Sequence, residues 1–560
     1  MEKFIKHIPL LFLLLFFITP IFSETGNSHE IRNEIPDAEA LKSVQSIQRF
    51  LNSSIPTRTL FSPSPLLPNK PLPFSSESQV SPILGAIHTL GARVDELDQR
   101  TAAHLLHRTI FGPKWEEIET AVFTGLSGTL NTLFSELSAP EPPGEWIDDP
   151  IPPYDELDAE ALDSLINAYS TQFGEMRSWW IDLMIGDETT IREVMALFWH
   201  DHFATSGGKV FYPPAMYNQN ALIRNYALGN IKEFVKVMAF DPAMLIWLDN
   251  NQNHVGAINE NFARELLELF TIGVGNYTQI DIIEAARAYT GYRTDGLNTY
   301  FMPDHHDYGL KTFMGQTGNW FGDDIVDIIF EQDETARFLC RKLYSWFLYN
   351  FPDESVIDEL AAIMRDNDYE VEPVLRALLS SDHFFDENFR GAKYRSPVYH
   401  TASIVRQTYT EITALDSEHP KNIILMYVNE LLGQATFFPP DVSGWVSYRT
   451  WVNTYTLPWR KIYTNGVIDG FIYDFDIGFQ SDIMSFILHI PSHNDAEQLI
   501  DDLALYFYAM EPSEHTTQLL LNELLQGAEP YDWNINLPDA EGRLRGTVKL
   551  LMRLPDYQLK

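Results

Sequence analysis

The chain has 560 residues, of which 45% are hydrophobic and 13% aromatic, so it is too apolar for a disordered chain and long enough for more than one folded lobe. Its 39 Lys and Arg residues against 78 Asp and Glu residues give a formal net charge of -39, which repels phosphate backbones and argues against nucleic-acid binding. The single cysteine, Cys340, excludes an intramolecular disulfide, a thiolate metal site and a Cys-x-x-Cys redox centre.

The amino terminus has the pattern of a secretory signal peptide. Two lysines precede an apolar run over residues 8–22, and the small Ser23 follows directly before an acidic residue. The run is shorter than the roughly 20 residues that a membrane span needs, and a small residue at this point suits cleavage. We therefore expect residues 1–23 to be a signal peptide and the mature chain to be exported to the periplasm, the cell surface or the medium. The alternative is an uncleaved anchor.

The segment after the signal peptide differs from the rest of the chain. We assign residues 24–82 to a polar and proline-rich linker: residues 24–54 leave room for one short helix, whereas the proline spacing of residues 55–82 forbids helix and favours an extended chain. From residue 83 the apolar spacing becomes helical, and we assign residues 83–557 to one helical region whose first subdomain covers 83–138. A proline cluster ends that subdomain.

Helical periodicity dominates the remaining sequence, whereas alternating strand patterns are almost absent. The expected fold is mainly α, a multi-helical and bundle-like array with long irregular loops. Central helices are expected within 158–290, at 158–185, 188–203, 217–239, 256–272 and 279–290. Later helices are expected within 333–557, at 333–349, 353–365, 371–380, 396–414, 421–432, 480–489, 494–510, 514–526 and 539–553, with loops at 291–332 and 433–479.

The helix expected over 256–272 combines burial with charge. Apolar side chains cover most of its circumference, so it should be largely buried. Yet Arg264, Glu265 and Glu268 share one face of it. Burying charges without compensation costs several kcal/mol, so these side chains need partners.

The next helix, expected over 279–290, repeats this pattern with Glu284 and Arg287 on one side. One hypothesis is an internal salt-bridge ladder that joins Arg264 and Arg287 to the glutamates of both helices. The other hypothesis is that some of these carboxylates bind a cation or transfer protons.

Histidines are grouped at two points, His200 and His202 in Phe-Trp-His-Asp-His-Phe, and His305 and His306 in Asp-His-His-Asp. Residues two apart on a helix point in nearly opposite directions, so His200 and His202 would share a metal only at a helix end. One hypothesis is a divalent metal site for zinc, iron or manganese, although no segment has a diagnostic spacing, and the alternative is hydrogen-bonded structural histidines. Further ligands would come from Glu265, Glu268, Asp304 and Asp307.

Two loops carry further polar and aromatic residues. The turn with Asp307 and Lys311 lacks the Gly-Lys-Ser/Thr of a nucleotide-binding loop. The segment that follows residue 439 contains Trp445 and Trp451, and such aromatic clusters either stack on sugars or anchor a long loop. The sequence has no Gly-x-Ser-x-Gly elbow, and Cys340 lies in an apolar helical run, so no serine or cysteine hydrolase is indicated.

Six ordered motifs make the chain resemble a family of exported bacterial proteins catalogued as domain of unknown function 1800. The resemblance covers roughly residues 100–557, and Phe270 stands where the family often has a histidine. It implies a mostly helical exported protein, often encoded beside a second exported protein of sulfatase-like character, and it supplies no reaction. The motifs lie at 104–113, 198–203, 259–269, 286–292, 306–311 and 439–445.

The first functional hypothesis is an exported enzyme that acts on a carbohydrate-like or anionic substrate by a hydrolytic or lyase-type reaction. Glu265 or Glu268 would be the base, and Arg264 would bind the anion. His200, His202 or a metal would be the acid. The loop residues expected to contact the substrate are His306, Asp307, Lys311, Trp445 and Trp451.

The second hypothesis is a non-catalytic envelope or assembly factor that binds a partner protein. The polar stripes would then only specify how the helices pack. The contact surface would be the aromatic loop, which contains Trp445, Tyr448, Trp451, Tyr455 and Trp459.

Overall fold

The computed structural model describes residues 89–560 except 93, 95, 187, 415–418, 473, 474 and 477. The expected signal peptide and linker, residues 1–82, lie outside the described residues. The chain divides into two compact units. Pro152–Ile166 belong to the first, and the second comprises His88–Ile151 and Asn167–Lys560.

Helices make up most of the regular structure, which confirms the expected mainly α fold. The α-helices are Gln99–Thr109, Trp115–Leu133, Ala159–Ile185, Arg192–His202, Gly207–Val210, Pro213–Tyr226, Ile231–Ala239, Pro242–Trp247, Asn261–Glu265, Gln279–Ala288, Gly322–Phe330, Asp333–Phe347, Glu354–Asp366, Val371–Leu379, Asp382–Phe385, Pro397–Gln407, Ile423–Leu431, Thr456–Asp469, Ile483–Leu488, Ala496–Tyr508, Glu514–Leu525 and Ala540–Leu551. A π-helix spans Leu266–Thr271, and short 3-10 helices span Glu145–Asp148, Tyr154–Glu156, Asn250–Gln252, Pro303–His305, Glu387–Phe389, Tyr448–Trp451, Pro530–Asp532 and Asp556–Gln558.

The strands are short and pair as antiparallel two-stranded ribbons. In the first two ribbons Tyr292 pairs with Phe301, and Lys311 pairs with Gly318. The ribbons are Tyr292–Thr294 with Thr299–Phe301, Lys311–Phe313 with Gln316–Gly318, Glu411–Ile412 with Phe479–Gln480, and Phe471–Ile472 with Phe475–Asp476.

Several element boundaries differ from the sequence predictions. The helix expected over 217–239 is broken, because the Asn230 side chain accepts a hydrogen bond from Glu233 N and caps a new helix. The helix expected from residue 256 begins only at Asn261. The two expected loops also contain helices, Gly322–Phe330 and Thr456–Asp469.

Three consecutive helices, Asp333–Phe347, Glu354–Asp366 and Val371–Leu379, pack against one another in the second unit. The last of them buries Val371, Val374, Leu375 and Leu378 completely, at the spacing of one helical face. Burial of this kind contributes about 1.5–3 kcal/mol for each such side chain. The helices thereby fix the segment after Leu343 that lines the cavity described below.

Crossing a bilayer takes a long, apolar helix, and none of the described helices is one.

Candidate functional site

The central polar helix is not buried in the way its sequence predicts. Arg264 donates to Glu260 at 3.0 Å and to Gln279 at 3.4 Å, and its side chain is 39% exposed. The helical segment Asn261–Glu265 is short and continues as the π-helix, so the polar side chains reach the surface. Arg264 therefore does not clamp the glutamates that follow it.

Glu265 and Glu268 form an acidic group instead. The Tyr277 hydroxyl donates to Glu268 at 3.1 Å. Burial raises the pKa of Glu265, and the nearby carboxylates of Glu268 and Asp441 raise it further against the lowering effect of Arg264. Neither glutamate belongs to the lining of the cavity described below, although their neighbour Leu269 does.

The expected ladder between the two helices does not form. Arg287 donates through Nε to Asp307 at 2.7 Å and through Nη1 to Glu284 at 2.8 Å, so it belongs to a group separate from Arg264. Lys311 lies in that same group, fully buried, and donates to the Asp307 carbonyl at 2.6 Å.

His306 lies beside the Arg287 group and stacks on Phe321 with ring centres 4.3 Å apart. Its Nδ1 bonds to the Thr290 carbonyl at 2.9 Å. The structure thus brings His306, Asp307 and Lys311 together, but not to the cavity that Trp445 and Trp451 line.

His200 and His202 face different surroundings, as their spacing predicts. His200 accepts a hydrogen bond from Phe437 N at 3.1 Å, whereas His202 donates from Nε2 to the Phe270 carbonyl of the π-helix at 3.0 Å. Burial lowers the pKa of each to about 3, so both are neutral near pH 7. Because Nε2 of His202 carries the proton, its Nδ1 is an acceptor.

A cavity of about 330 Å³ lies beside His202. It brings together four residues that the functional hypotheses name, His202, Trp445, Tyr448 and Trp451, but it excludes His200, Arg264 and the glutamates. Its complete lining is Phe198, Asp201, His202, Leu269, Lys342, Ser345, Trp346, Asn350, Lys393, Tyr394, Ser396, Val442, Ser443, Trp445, Ser447, Tyr448, Trp451 and Lys560.

Three lysines give the cavity its charge. Lys393 Nζ donates to the Ser345 carbonyl at 2.6 Å and to Asn350 Oδ1 at 2.5 Å. Lys560 Nζ lies 4.0 Å from the centre of the Tyr399 ring. Lys342 Nζ lies 5.4 Å from the centre of the Phe338 ring, and its nearest opposite charge is Asp201. Asp201 has the sole side-chain carboxylate among the described residues of the lining.

Three buried arginines surround this cavity wall. Arg108 donates to the carbonyls of Phe347, Leu348 and Phe389 at 2.5–3.0 Å. Arg395 donates to the Leu559 carbonyl at 3.0 Å, and Arg460 donates to the Arg395 carbonyl at 2.8 Å. Throughout the described part of the chain their hydrogen-bond partners are backbone carbonyls, an amide and the Ser403 hydroxyl rather than side-chain carboxylates.

Burial and mutual repulsion shift the pKa values of the cavity groups. Burial, with a smaller effect of Arg108, lowers the pKa of Lys393 to about 7. Burial also lowers the pKa of Lys342, and that of Lys560 well below its usual range. For Asp201, burial raises the pKa to about 6, although the Trp445 N–H and Lys342 oppose this. Asp201 and Lys393 can therefore both change charge between pH 5 and 8.

The segment that carries Trp445 is anchored to Asp201. Trp445 N donates to Asp201 Oδ1 at 2.8 Å, and the preceding Gly444 has φ +85°, which a glycine adopts without strain. The indole N–H groups of Trp445 and Trp451 and Nδ1 of His202 are buried without a hydrogen-bond partner in the described structure. Buried polar atoms without a partner also occur elsewhere in the described residues, among them Trp115 Nε1 and both ring nitrogens of His400, so these three atoms do not by themselves mark a ligand site.

Sequence reasoning missed the most strongly charged residues of the site. Asp201 stands between the two histidines of a motif that was recognised, so its position was the available signal. Lys342, Lys393 and Lys560 come from distant segments and carry no local motif. The expected metal site gains no support, because no group of three or more His, Cys, Asp or Glu in the described residues is placed to hold a metal ion.

Comparison with known proteins gives one match. The model of the family described as "Protein of unknown function (DUF1800)" matches residues 104–559. Neither a curated protein nor a solved structure shows significant similarity to the chain. Since the match covers most of the chain and includes all six sequence motifs, this protein belongs to the DUF1800 family.

Proposed function

We propose that this protein binds an anionic, carbohydrate-like ligand in the lysine-lined cavity. The observation that carries the proposal is the composition of the lining, with three lysine side chains against one side-chain carboxylate in a chain whose net charge is -39. A cationic, partly desolvated cavity on an acidic protein attracts anions locally, because low dielectric strengthens each interaction.

The other lining residues favour a sugar over a bare inorganic anion. Trp445, Trp451, Tyr394 and Tyr448 supply aromatic faces and edges, and four serines and Asn350 supply short polar groups. Aromatic rings provide apolar surface with a polar edge, and a few convergent polar groups fix the orientation of a ligand.

An enzymatic role would fall to Asp201. It is the carboxyl group of the cavity, and one of its oxygens is held by Trp445 N. Its pKa of about 6 lets it either donate or accept a proton near neutral pH. We therefore assign the acid–base role to Asp201 instead of Glu265 or Glu268. The reaction remains of the hydrolytic or lyase type expected from the sequence.

Partner binding through the aromatic loop is less well supported. Trp445 and Trp451 are 5% and 9% exposed, so these two are not available as surface anchors, whereas Tyr455 of the same loop is 58% exposed. Export of the chain and a co-encoded sulfatase-like partner remain predictions from the sequence.

Replacing Lys342 with methionine tests the charge of the cavity. Titration calorimetry should show binding of galacturonate and glucose 6-sulfate, and the variant should bind both about 10-fold more weakly, since one lost ionic contact corresponds to about 1.4 kcal/mol. Lys421→Met is the control, because Lys421 pairs with Asp182 on the surface at 3.2 Å. Equal binding of neutral galactose, or unchanged affinity in Lys342→Met, would contradict the proposal.

The pH dependence of binding provides an independent test. As the pH rises from 5 to 8, Asp201 becomes negative at about 6 and Lys393 becomes neutral at about 7. Both changes weaken the attraction for an anion, so galacturonate affinity should fall about 10-fold across this interval. In Asp201→Asn the step near pH 6 should disappear and the step near pH 7 should remain. Affinity that stays constant, or rises with pH, would show that these groups do not face the ligand.

A further inference from the structure

A row of aromatic side chains continues from the cavity to the surface. We call Tyr349, Phe351, Tyr394, Tyr448 and Arg449 the aromatic rim. Ring centres of Tyr394 and Tyr448 are 5.2 Å apart, those of Tyr448 and Phe351 are 5.8 Å apart, and those of Phe351 and Tyr349 are 5.4 Å apart. Because Tyr394 and Tyr448 also line the cavity, the rim and the cavity form one continuous surface.

Core packing does not account for the rim. Phe351 is 62% exposed, and its ring contacts those of Tyr349 and Tyr448, so it belongs to a contiguous aromatic group instead of standing singly on the surface. Tyr448 has φ +66°, a left-handed conformation that costs a bulky residue free energy. Strain of this kind is concentrated at ligand sites, where it places a side chain that a relaxed backbone would direct elsewhere.

The rim also carries positive charge. The Arg449 guanidinium lies 5.3 Å from the centre of the Tyr448 ring and is exposed. The side-chain contact with Tyr448 raises the pKa of Arg449, so the group stays charged at all relevant pH values. The positive potential of the three lysines therefore extends outward along the rim.

The size of the cavity limits what it can hold. A volume of about 330 Å³ lies at the small end of the range of roughly 300–1,000 Å³ for ligand pockets. It suits one small unit rather than a chain, whereas the rim offers several rings in sequence, each turned by 63–90° from its neighbour, so that faces and edges alternate. A ligand that used both surfaces would need repeated ring-shaped units and repeated negative charge.

We infer that the ligand is an anionic oligosaccharide, with one charged unit in the cavity and the following units on the aromatic rim. This inference rests on the proposed function and deepens it. The rings of Phe351 and Tyr448 stack on sugar faces, and Arg449 binds the acidic group of a unit outside the cavity.

Oligogalacturonides of one, three and six units test the inference. In calorimetry with the full chain, the trimer should bind about 10-fold more tightly than the monomer. Phe351→Ala should remove this gain while its monomer affinity stays within about twofold of wild type. Phe123→Ala is the control, because Phe123 is 90% exposed on the helix Trp115–Leu133 and lies outside the cavity lining.

The outcomes separate the two proposals. If the monomer binds but the trimer shows no gain, or if Phe351→Ala keeps the gain, the rim is not part of the site and the inference fails. A neutral galactose trimer with the same gain would overturn the anionic class of the chain. If no charged monomer binds at all, the proposed function itself fails.

Discussion

Replacing Arg406 with methionine is expected to lower the free energy of unfolding by about 3–5 kcal/mol, as is usual when one partner of a buried ion pair is removed. Arg406 makes two bonds to Glu117, at 2.9 and 2.8 Å, and donates to the carbonyls of Gly112 and Gly186 at 2.7 and 2.9 Å. The side chains of Arg406 and Glu117 are 2% and 12% exposed. The variant would leave Glu117 without its opposite charge, with only the hydrogen bonds from Lys114 N and the Thr189 hydroxyl in the described structure, and it would leave two carbonyls without their donor.

Arg264→Met is the matched control for Arg406→Met. Arg264 also pairs with a glutamate, at 3.0 Å, but both side chains are more than a third exposed. Removal of the Arg264 guanidinium should lower the free energy of unfolding by less than about 1 kcal/mol. Urea denaturation of both variants measures the difference. Equal losses, or a larger loss for Arg264→Met, would mean that Arg264 is the buried structural cation that the sequence predicts.

Replacing Gly444 with alanine is expected to reduce galacturonate affinity about 100-fold and the free energy of unfolding by about 2–3 kcal/mol. A methyl group there would lie 2.6 Å from the Asp201 carbonyl oxygen and would collide with its carboxylate. The φ of +85° adds strain for any residue with a Cβ. Asp201 and Trp445 would have to separate, which removes the hydrogen bond that joins the two walls of the cavity.

Gly433→Ala separates the strain of Gly444→Ala from its collision. Gly433 has φ +93°, and no atom lies within 4 Å of an added Cβ. The left-handed backbone should lower the free energy of unfolding of this variant by about 1–2 kcal/mol, but the variant should bind galacturonate normally. Calorimetry and urea denaturation of both variants provide the comparison. Full ligand binding by Gly444→Ala would show that contact between Asp201 and the Trp445 segment is not needed for the site.

Local periodicity was sufficient to predict most of the fold. The helices Ala159–Ile185, Arg192–His202 and Gln279–Ala288 agree closely with their apolar spacing, since that spacing reports which face is buried. The prediction that Arg264 is buried was wrong, because the short helix Asn261–Glu265 that carries it continues directly as a π-helix. Side chains in a π-helix are not spaced at 3.6 residues per turn, so a stripe drawn with that period is misplaced.

The candidate site was only partly accessible from the sequence. His202, Trp445 and Trp451 were found because histidines and tryptophans are dense in their segments. The lysines were not found, because Lys342, Lys393 and Lys560 approach one another only through tertiary packing. Their significance lies in their excess over the one side-chain carboxylate of the described lining, which no pattern of neighbouring residues records.

The cavity wall at Lys393 also constrains how the protein folds. Lys560 N donates to the Lys393 carbonyl at 2.8 Å, and Arg395 N donates to the Gln558 carbonyl at 2.9 Å. These bonds join segments more than 160 residues apart, so their formation requires closure of a very long loop. Contacts of such high sequence separation form late along a folding pathway. We therefore expect the binding cavity to form late in folding, and a ligand that occupies it to stabilise the native state mainly by slowing unfolding.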